Sequence, residues 1–276
     1  MGILSIFKGK GNVLFYPGCL TKYVLKQEAE NYRKILEKIG VDFIIIPEIN
    51  CCGSPVLNAG YEKDARKLAR KNLEIFKKYN VRKIVTNCPA CFKTFFKDYK
   101  EMLPDWKIET EHIIFPILKY LKSKRIKYES RERLAYHDPC HLGRHCGIYE
   151  EPREILRLLG YEVVDFPNSR NESFCCGGGA GLKTNNPELA KKIAKERVKQ
   201  ARNLNVKKIV TPCPLCFAHI AENSDTESKL SVPQNPAGFS GIEVSEFSHI
   251  VAKSLGIEVG KTSLQEMMKK DKEACS

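Results

Sequence analysis

The chain has 276 residues, of which 42% are hydrophobic, and carries a net charge of +13 from 46 Lys and Arg against 33 Asp and Glu. We expect a cytoplasmic protein with reduced thiols, because there is no secretory leader pattern and no apolar run near the ~20 residues that a membrane span needs. Nucleic acid is excluded as an expected partner, since basic residues alternate with acidic ones on predicted helix faces and no aromatics are interleaved with them.

Alternating strands and helices are predicted along the first part of the chain. Short apolar or β-branched runs predict three strands, at residues 12–16, 42–46 and 83–86. Between them, apolar residues at helical spacing predict two helices, one with the stripe Tyr32, Ile35, Leu36 and Ile39 and one with the stripe Ala65, Leu68, Ala69, Leu73 and Phe76.

The second part of the chain repeats this order. Strands are predicted at residues 134–136, 161–166, 207–211 and 242–246, and helices at 152–159 and 187–203. We therefore predict an α/β fold of two tandem pseudo-symmetric domains, each a small parallel-sheet βαβ unit. Their expected bounds are 12–124 and 130–260, followed by a flexible lysine-rich tail over 261–276.

An internal repeat supports the two-domain organisation. The segment VRKIVTNCPAC (81–91) returns as VKKIVTPCPLC (206–216), with eight of eleven residues identical. The triplet CCG at 51–53 returns at 175–177, and the offset stays within 121–125 residues along the repeat. A fixed offset of this kind is the signature of a duplicated structural unit.

Ten of the twelve cysteines follow predicted strand ends, five in each copy. The first set is Cys19, Cys51, Cys52, Cys88 and Cys91, and the second set is Cys140, Cys175, Cys176, Cys213 and Cys216. Because the carboxyl ends of parallel strands meet at one edge of a sheet, we expect the five thiols of each set to converge there. Cys146 and Cys275 have no such counterpart and are interpreted as buried or incidental thiols.

Five thiols at this spacing indicate a metal centre. The C-x2-C pair is a common chelating element, and the adjacent pair reaches one centre only where the chain turns sharply, for which Gly53 and Gly177 provide the freedom. Zinc and a standard iron–sulfur cubane each need four sulfurs, so one thiol per set is spare or the centre is not a standard cubane. Iron–sulfur centres are favoured, with zinc in a set and a redox-active dithiol as alternatives.

The repeated C…CCG…C-x2-C pattern resembles the cysteine-rich CCG domains found in the B and D subunits of heterodisulfide reductases and in related lactate, glycolate and glycerol-3-phosphate oxidising complexes. The segments YHDPCHLGRH (136–145) and GIYEEPREI (147–155) look most like the D subunit. The resemblance implies two non-cubane 4Fe–4S clusters, each bound by one of the two cysteine sets. It also implies an oxidoreductase subunit that reduces a small disulfide to two thiols.

Partners and proton donors complete the prediction. No C-x2-C-x2-C-x3-C-P segment occurs, so we expect electrons from a ferredoxin-like iron–sulfur subunit and further electron-donating subunits. His137, His141 and His145 lie close to Cys140 and are the candidate catalytic proton donors, unless they only hold the loop by hydrogen bonds. The alternatives are a non-catalytic electron-transfer subunit of a lactate, glycolate or glycerol-3-phosphate-type dehydrogenase complex and a zinc-binding module.

Overall fold

A computed structural model describes residues 12–124, 132–224 and 241–260. The predicted tail at 261–276, which includes Cys275, lies outside the described residues. Within them, none of the helices combines the length and the apolar character that crossing a membrane requires.

The first half contains a parallel three-stranded sheet in the order β1-β2-β3. Its strands are β1 (Asn12–Tyr16), β2 (Val81–Thr86) and β3 (Glu109–His112). The prediction of a strand at 42–46 was wrong, since this segment makes only a single bridge between Ile44 and Leu14. The N–H of the preceding Val41 donates to the backbone oxygen of Leu36 at the end of a helix, and Pro47 has no N–H to donate. Few residues between them therefore remain free to form strand hydrogen bonds.

Strand β3 was not predicted, because its sequence ETEH has no apolar run. It is nevertheless paired with β2 in register from Lys83–Glu109 to Thr86–His112, at the edge of the sheet. An edge strand with one partner tolerates charged side chains, which explains why a hydrophobic pattern did not mark it.

The second half contains a parallel four-stranded sheet in the order β5-β4-β6-β7. Its strands are β4 (Arg133–Tyr136), β5 (Glu162–Asp165), β6 (Lys208–Thr211) and β7 (Glu243–Glu246). Each corresponds to a position of the first sheet, with β5 matching the single bridge at Ile44. The α/β class with two parallel sheets is thus confirmed.

Helices follow the strands in both halves. In the first half they are α1 (Cys19–Tyr23), α2 (Lys26–Lys38), α3 (Ser54–Asn58), α4 (Glu62–Lys78), α5 (Pro89–Lys93), α6 (Tyr99–Met102) and α7 (Ile114–Lys124), with a π-helical turn at Thr94–Asp98. In the second half they are α8 (Glu150–Leu158), α9 (Leu182–Asn185), α10 (Pro187–Asn203), α11 (Pro214–Glu222) and α12 (Phe247–Ser254), with a 3₁₀ turn at Arg170–Glu172.

The largest hydrophobic cluster is shared by the two halves. It combines buried residues of both, including Phe15 and Tyr32 with Leu134 and Phe247. The packing is reciprocal, since α2 contacts α12 and α7 contacts α8. Tyr32 also donates to Glu246 at 2.7 Å across the junction. The halves are therefore fixed to each other rather than joined by a loose linker.

Candidate metal centres

The first cysteine of the first set is placed by a glycine turn. After β1 ends, Gly18 has φ 77° and ψ 162°, a conformation that is essentially restricted to glycine, and Cys19 then begins α1. A side chain at Gly18 would also meet the site, because an added Cβ would lie 3.1 Å from Cys91 Sγ and 3.3 Å from Cys88 Cβ. The absence of a side chain there lets the backbone approach the sulfurs.

The adjacent cysteines are turned by glycine in both sets. Gly53 and Gly177 have φ 86° and 84°. Their N–H groups donate to Cys51 Sγ and Cys175 Sγ, each at 3.4 Å. The predicted sharp turn after each pair is present, and it also supplies a hydrogen bond that stabilises negative charge on sulfur.

The C-x2-C pairs lie at helix starts. Cys88 and Cys213 are the N-cap residues of α5 and α11, and a proline follows each of them. At the second pair, the N–H of Cys216 donates to Cys213 Sγ at 3.5 Å. The unpaired N–H groups of a helix start favour an anion, so both pairs lie where thiolates are stabilised.

The five sulfurs of the first set form an unbroken series of side-chain hydrogen-bond contacts. In order of contact the series is Cys19, Cys51, Cys52, Cys91 and Cys88. The second set repeats it position for position, as Cys140, Cys175, Cys176, Cys216 and Cys213. The structure thus brings together all ten cysteines that the sequence grouped, in two sets of five.

The packing of these thiols favours a cation. Hydrogen bonds from Cys19 and Cys52 lower the pKa of Cys51 to about 2, so the set readily holds one thiolate, at Cys51. The pKa of Cys91 is raised well above its ordinary value by the neighbouring thiols Cys52 and Cys88 and by burial, because further negative charge is repelled. Only a positively charged centre allows several of these sulfurs to be ionised together, so the donor set fits a thiolate-bound metal or cluster.

Each set has a buried end and an accessible end. Cys52 and Cys91 are each 3% exposed, as are Cys176 and Cys216. Cys19 and Cys175 are exposed, and Cys51 and Cys140 are half-buried. A centre bound by either set would therefore be anchored on the protein side and reachable from solvent through its first and second cysteines.

The three candidate histidines occupy different positions. His137 is fully buried, while His141 is half-buried and His145 is exposed. The rings of His141 and His145 are 4.9 Å apart, and His141 Nδ1 lies 3.4 Å from Cys140 Sγ. Burial lowers the pKa of His141 to about 4, with His145 and Lys93 acting in the same direction, so this imidazole is neutral near pH 7.

Contacts between the halves involve both sets. Lys97, in the π-helical turn after the first C-x2-C pair, donates to the backbone oxygen of His145. In return, α1, which begins at Cys19, packs against α11, which carries Cys216. The segment after Cys140 thus contacts the turn that follows the first C-x2-C pair. The helix that begins at Cys19 contacts the helix that carries the second C-x2-C pair.

A buried cation behind the second set was not predicted. Arg197 is 0% exposed, and its Nε donates to His137 Nδ1 at 3.1 Å. Burial lowers its pKa to about 10, which leaves it charged at neutral pH. The offset of 125 residues aligns Arg197 with Asn72. Comparison of the two copies therefore shows a charged residue in place of a neutral one, and this was the signal in the sequence that could have identified Arg197.

The comparisons with known proteins identify the class. The model of the cysteine-rich domain family, CCG, matches the chain twice, at residues 13–96 and 134–221. The chain therefore belongs to the CCG cysteine-rich domain family, and the tandem repeat is confirmed.

Curated relatives are named as iron–sulfur proteins and oxidoreductase subunits. An uncharacterized iron–sulfur protein of Methanocaldococcus jannaschii is 38% identical over 78% of this chain and 42% of its own length. The D subunit of the dihydromethanophenazine:CoB–CoM heterodisulfide reductase of Methanosarcina acetivorans is 31% identical over 91% of this chain and 60% of its own. The B subunit of the fumarate reductase (CoM/CoB) of Methanothermobacter marburgensis is 31% identical over 77% and 42%.

The chain thus spans between 42% and 60% of the length of these relatives. Among solved structures, an aspartate racemase of Picrophilus torridus matches with a TM-score of 0.37 and 14% identity, over 93% of this chain and 99% of that one. A likeness at that level carries no inference about this chain.

Proposed function

We propose that this chain is the catalytic subunit of a heterodisulfide-reductase-like oxidoreductase that reduces a small disulfide to two thiols. One observation carries the proposal: two sets of five sulfurs share the same order of contacts, and each combines buried cysteines with one that is exposed. Two matched, accessible centres suit a reaction in which each sulfur of the disulfide is handled at its own site. The names of the relatives support the same reaction class.

Each cysteine set is proposed to bind one non-cubane 4Fe–4S cluster, as the resemblance implies. When bound, the two clusters would supply two electrons one at a time and accept sulfur at iron. Five contacting sulfurs fit such a cluster better than zinc, which uses four ligands and would leave one thiol unused in each set. Gly18, Gly53 and Gly177 shape the space, and the buried cysteines keep water from the inner side.

The protein's own contribution to the reaction is binding and proton delivery. Reduction of R–S–S–R′ consumes two electrons and two protons and gives RSH and R′SH. We propose that His145, which is exposed, and His141, whose Nδ1 is 3.4 Å from Cys140 Sγ, form a route for protons from solvent. His137, the third candidate, has no exposed surface and is proposed to act as a fixed hydrogen-bond donor instead.

Electrons are proposed to come from a one-electron iron–sulfur donor, a ferredoxin-like subunit that is served by further electron-donating subunits. The support is that relatives are named as subunits of reductases. The net charge of +13 favours an acidic partner surface.

The test is anaerobic purification followed by metal analysis and turnover. Iron and sulfide in equal amounts are expected, and reduced viologen with a panel of disulfides is expected to yield thiols. Cys51→Ser and Cys175→Ser should each damage one centre and abolish turnover, while Cys146→Ser, outside both sets, should retain iron and activity. Zinc without iron would refute the cluster assignment. Full iron with no thiol formed from any disulfide would favour the alternative of an electron-transfer subunit.

A further inference from the structure

The two cysteine sets differ in what lies behind their buried ends. At the second set, the guanidinium of Arg197 donates to His137 Nδ1 at 3.1 Å, to Ser173 Oγ at 3.0 Å and to Gln200 Oε1 at 2.8 Å. It also stacks on Phe166, 3.8 Å from the ring centroid. All of these partners are uncharged or, for the ring, apolar.

This buried positive charge has no carboxylate of its own. Among the described residues, none with a carboxylate lies within ion-pair distance of Arg197. The acidic side chain that attracts it most, Asp138, is already held by both terminal nitrogens of Arg153 at 2.7 Å. After Asp138, the strongest electrostatic attractions on Arg197 come from Cys216, Cys176 and Cys175, which are members of the second set. A buried charge needs a counter-charge, and here the second set provides it.

His137 lies next to both Arg197 and the sulfurs of the second set. Because its Nδ1 accepts from Arg197, the ring proton is on Nε2. Nε2 is buried without a protein partner in the described structure, and the ligand atoms of His137, Cys176 and Cys216 lie within 4.8 Å of one another. The imidazole of His137 therefore lies beside the two most buried sulfurs of the second set, with its Nε2–H group hydrogen-bonded to neither.

The first set has neutral groups at the equivalent positions. Tyr16 aligns with His137, but it is neutral, and its hydroxyl proton is donated to the Asn50 oxygen at 2.7 Å rather than to a sulfur. Asn72 aligns with Arg197 and donates to the Cys51 oxygen and to Tyr99 Oη, both at 2.9 Å. The backbone and sulfur arrangement was kept in both copies, whereas the charge behind it was not.

We infer that the two centres are unequal, and that Arg197, together with the unpaired Nε2–H group of His137, makes the centre at the second set the easier one to reduce. This inference rests on the proposed function. A centre that gains an electron becomes more negative, and a buried cation and a nearby N–H dipole both stabilise that form. When centres are bound, the one held by the second set would therefore accept the first electron from a one-electron iron–sulfur donor, and the one held by the first set would accept the second.

The experiment measures the two midpoint potentials separately, by anaerobic redox titration followed by electron paramagnetic resonance. Two single-centre proteins, Cys51→Ser/Cys52→Ser and Cys175→Ser/Cys176→Ser, assign each signal. The protein that keeps the second set should have the higher potential. Arg197→Gln should lower it by at least a tenfold change in the one-electron equilibrium, about 59 mV, and leave the first set unchanged. Arg197→Lys, which keeps the charge, is the matched control and should recover most of the potential.

Equal potentials in the two single-centre proteins would overturn the inference, as would a shift in Arg197→Gln that Arg197→Lys shares or that appears equally in both centres. If Arg197→Gln does not fold, the comparison of the single-centre proteins still decides, since residue 197 is intact in them. Iron-containing protein with equal potentials refutes this inference alone. Unequal potentials without disulfide turnover refute the proposed reaction alone.

Discussion

Replacing Gly18 by alanine tests whether the first set holds a centre at the site described. Alanine in this conformation, with φ 77° and ψ 162°, costs ~1–3 kcal/mol. The new methyl group would also press on Cys91 Sγ at 3.1 Å and Cys88 Cβ at 3.3 Å. Both cysteines belong to one well-packed cluster, so relief requires a shift of the sulfurs at a cost of ~1–3 kcal/mol more. The two effects together predict that the arrangement of the first set is destabilised by ~2–6 kcal/mol.

We expect Gly18→Ala to lose about half of the iron and sulfide of the wild-type protein, because the second set is untouched. Gly40→Ala is the matched control: Gly40 has a similar φ of 76°, but no atom lies within 4 Å of an added Cβ. It should pay only the backbone cost, ~1–2 kcal/mol, and keep all of its iron. Iron, sulfide and urea unfolding are measured on anaerobically purified samples. Full iron in Gly18→Ala, or an equal loss in both variants, would refute the reasoning.

Two further predictions concern the other set and the pH dependence of stability. Gly178→Ala would place its Cβ 2.9 Å from His219 Cβ, so we expect ~1–3 kcal/mol of destabilisation and loss of iron from the second set, whereas Gly179→Ala, at 3.6 Å from its nearest neighbour, should match wild type in iron analysis. Burial lowers the pKa of His112 to about 3, so its neutral form contributes stability that is complete above pH ~6.5 and is lost as the pH falls toward 3. When the pH falls from 7.5 to 5.5, the free energy of unfolding of wild type should fall by about 1.4 kcal/mol more than that of His112→Gln, measured in denaturant titrations. Equal losses in the two proteins would show that His112 is not kept neutral.

Sequence patterns predicted the elements that apolar periodicity controls. The prediction at 187–203 coincides with α10, and the prediction at 83–86 lies within β2, because buried stripes and runs determine both. The segment 42–46 has the composition of a strand, but its pairing is limited by the helix end before it and Pro47 after it. Strand β3 is the opposite case, a polar segment recruited by an edge that needed hydrogen bonds.

The grouping of the cysteines was predictable for a related reason. Their spacing follows from strand ends, and strand ends follow from the repeat, so the two sets could be assigned without coordinates. The surroundings of the sulfurs could not. Helical spacing places Arg197 on the buried stripe of α10, with Ala194 and Val198, but a basic residue among other basic residues gives no sign of what it contacts there. Its burial depends on how α10 meets the loop that carries His137, which is a tertiary contact.

Comparison of the two copies separates what the centre requires from what a particular copy requires. The order of sulfur contacts and the glycine after each cysteine pair are the same in both, as expected for features that shape the centre itself. Asn72 and Arg197, in contrast, occupy equivalent buried sites with different charge. If the two sets performed one identical task, a buried arginine in only one of them would cost desolvation energy without benefit. The difference is accounted for if the sites act in sequence, because sequential electron acceptance needs one site to be favoured over the other.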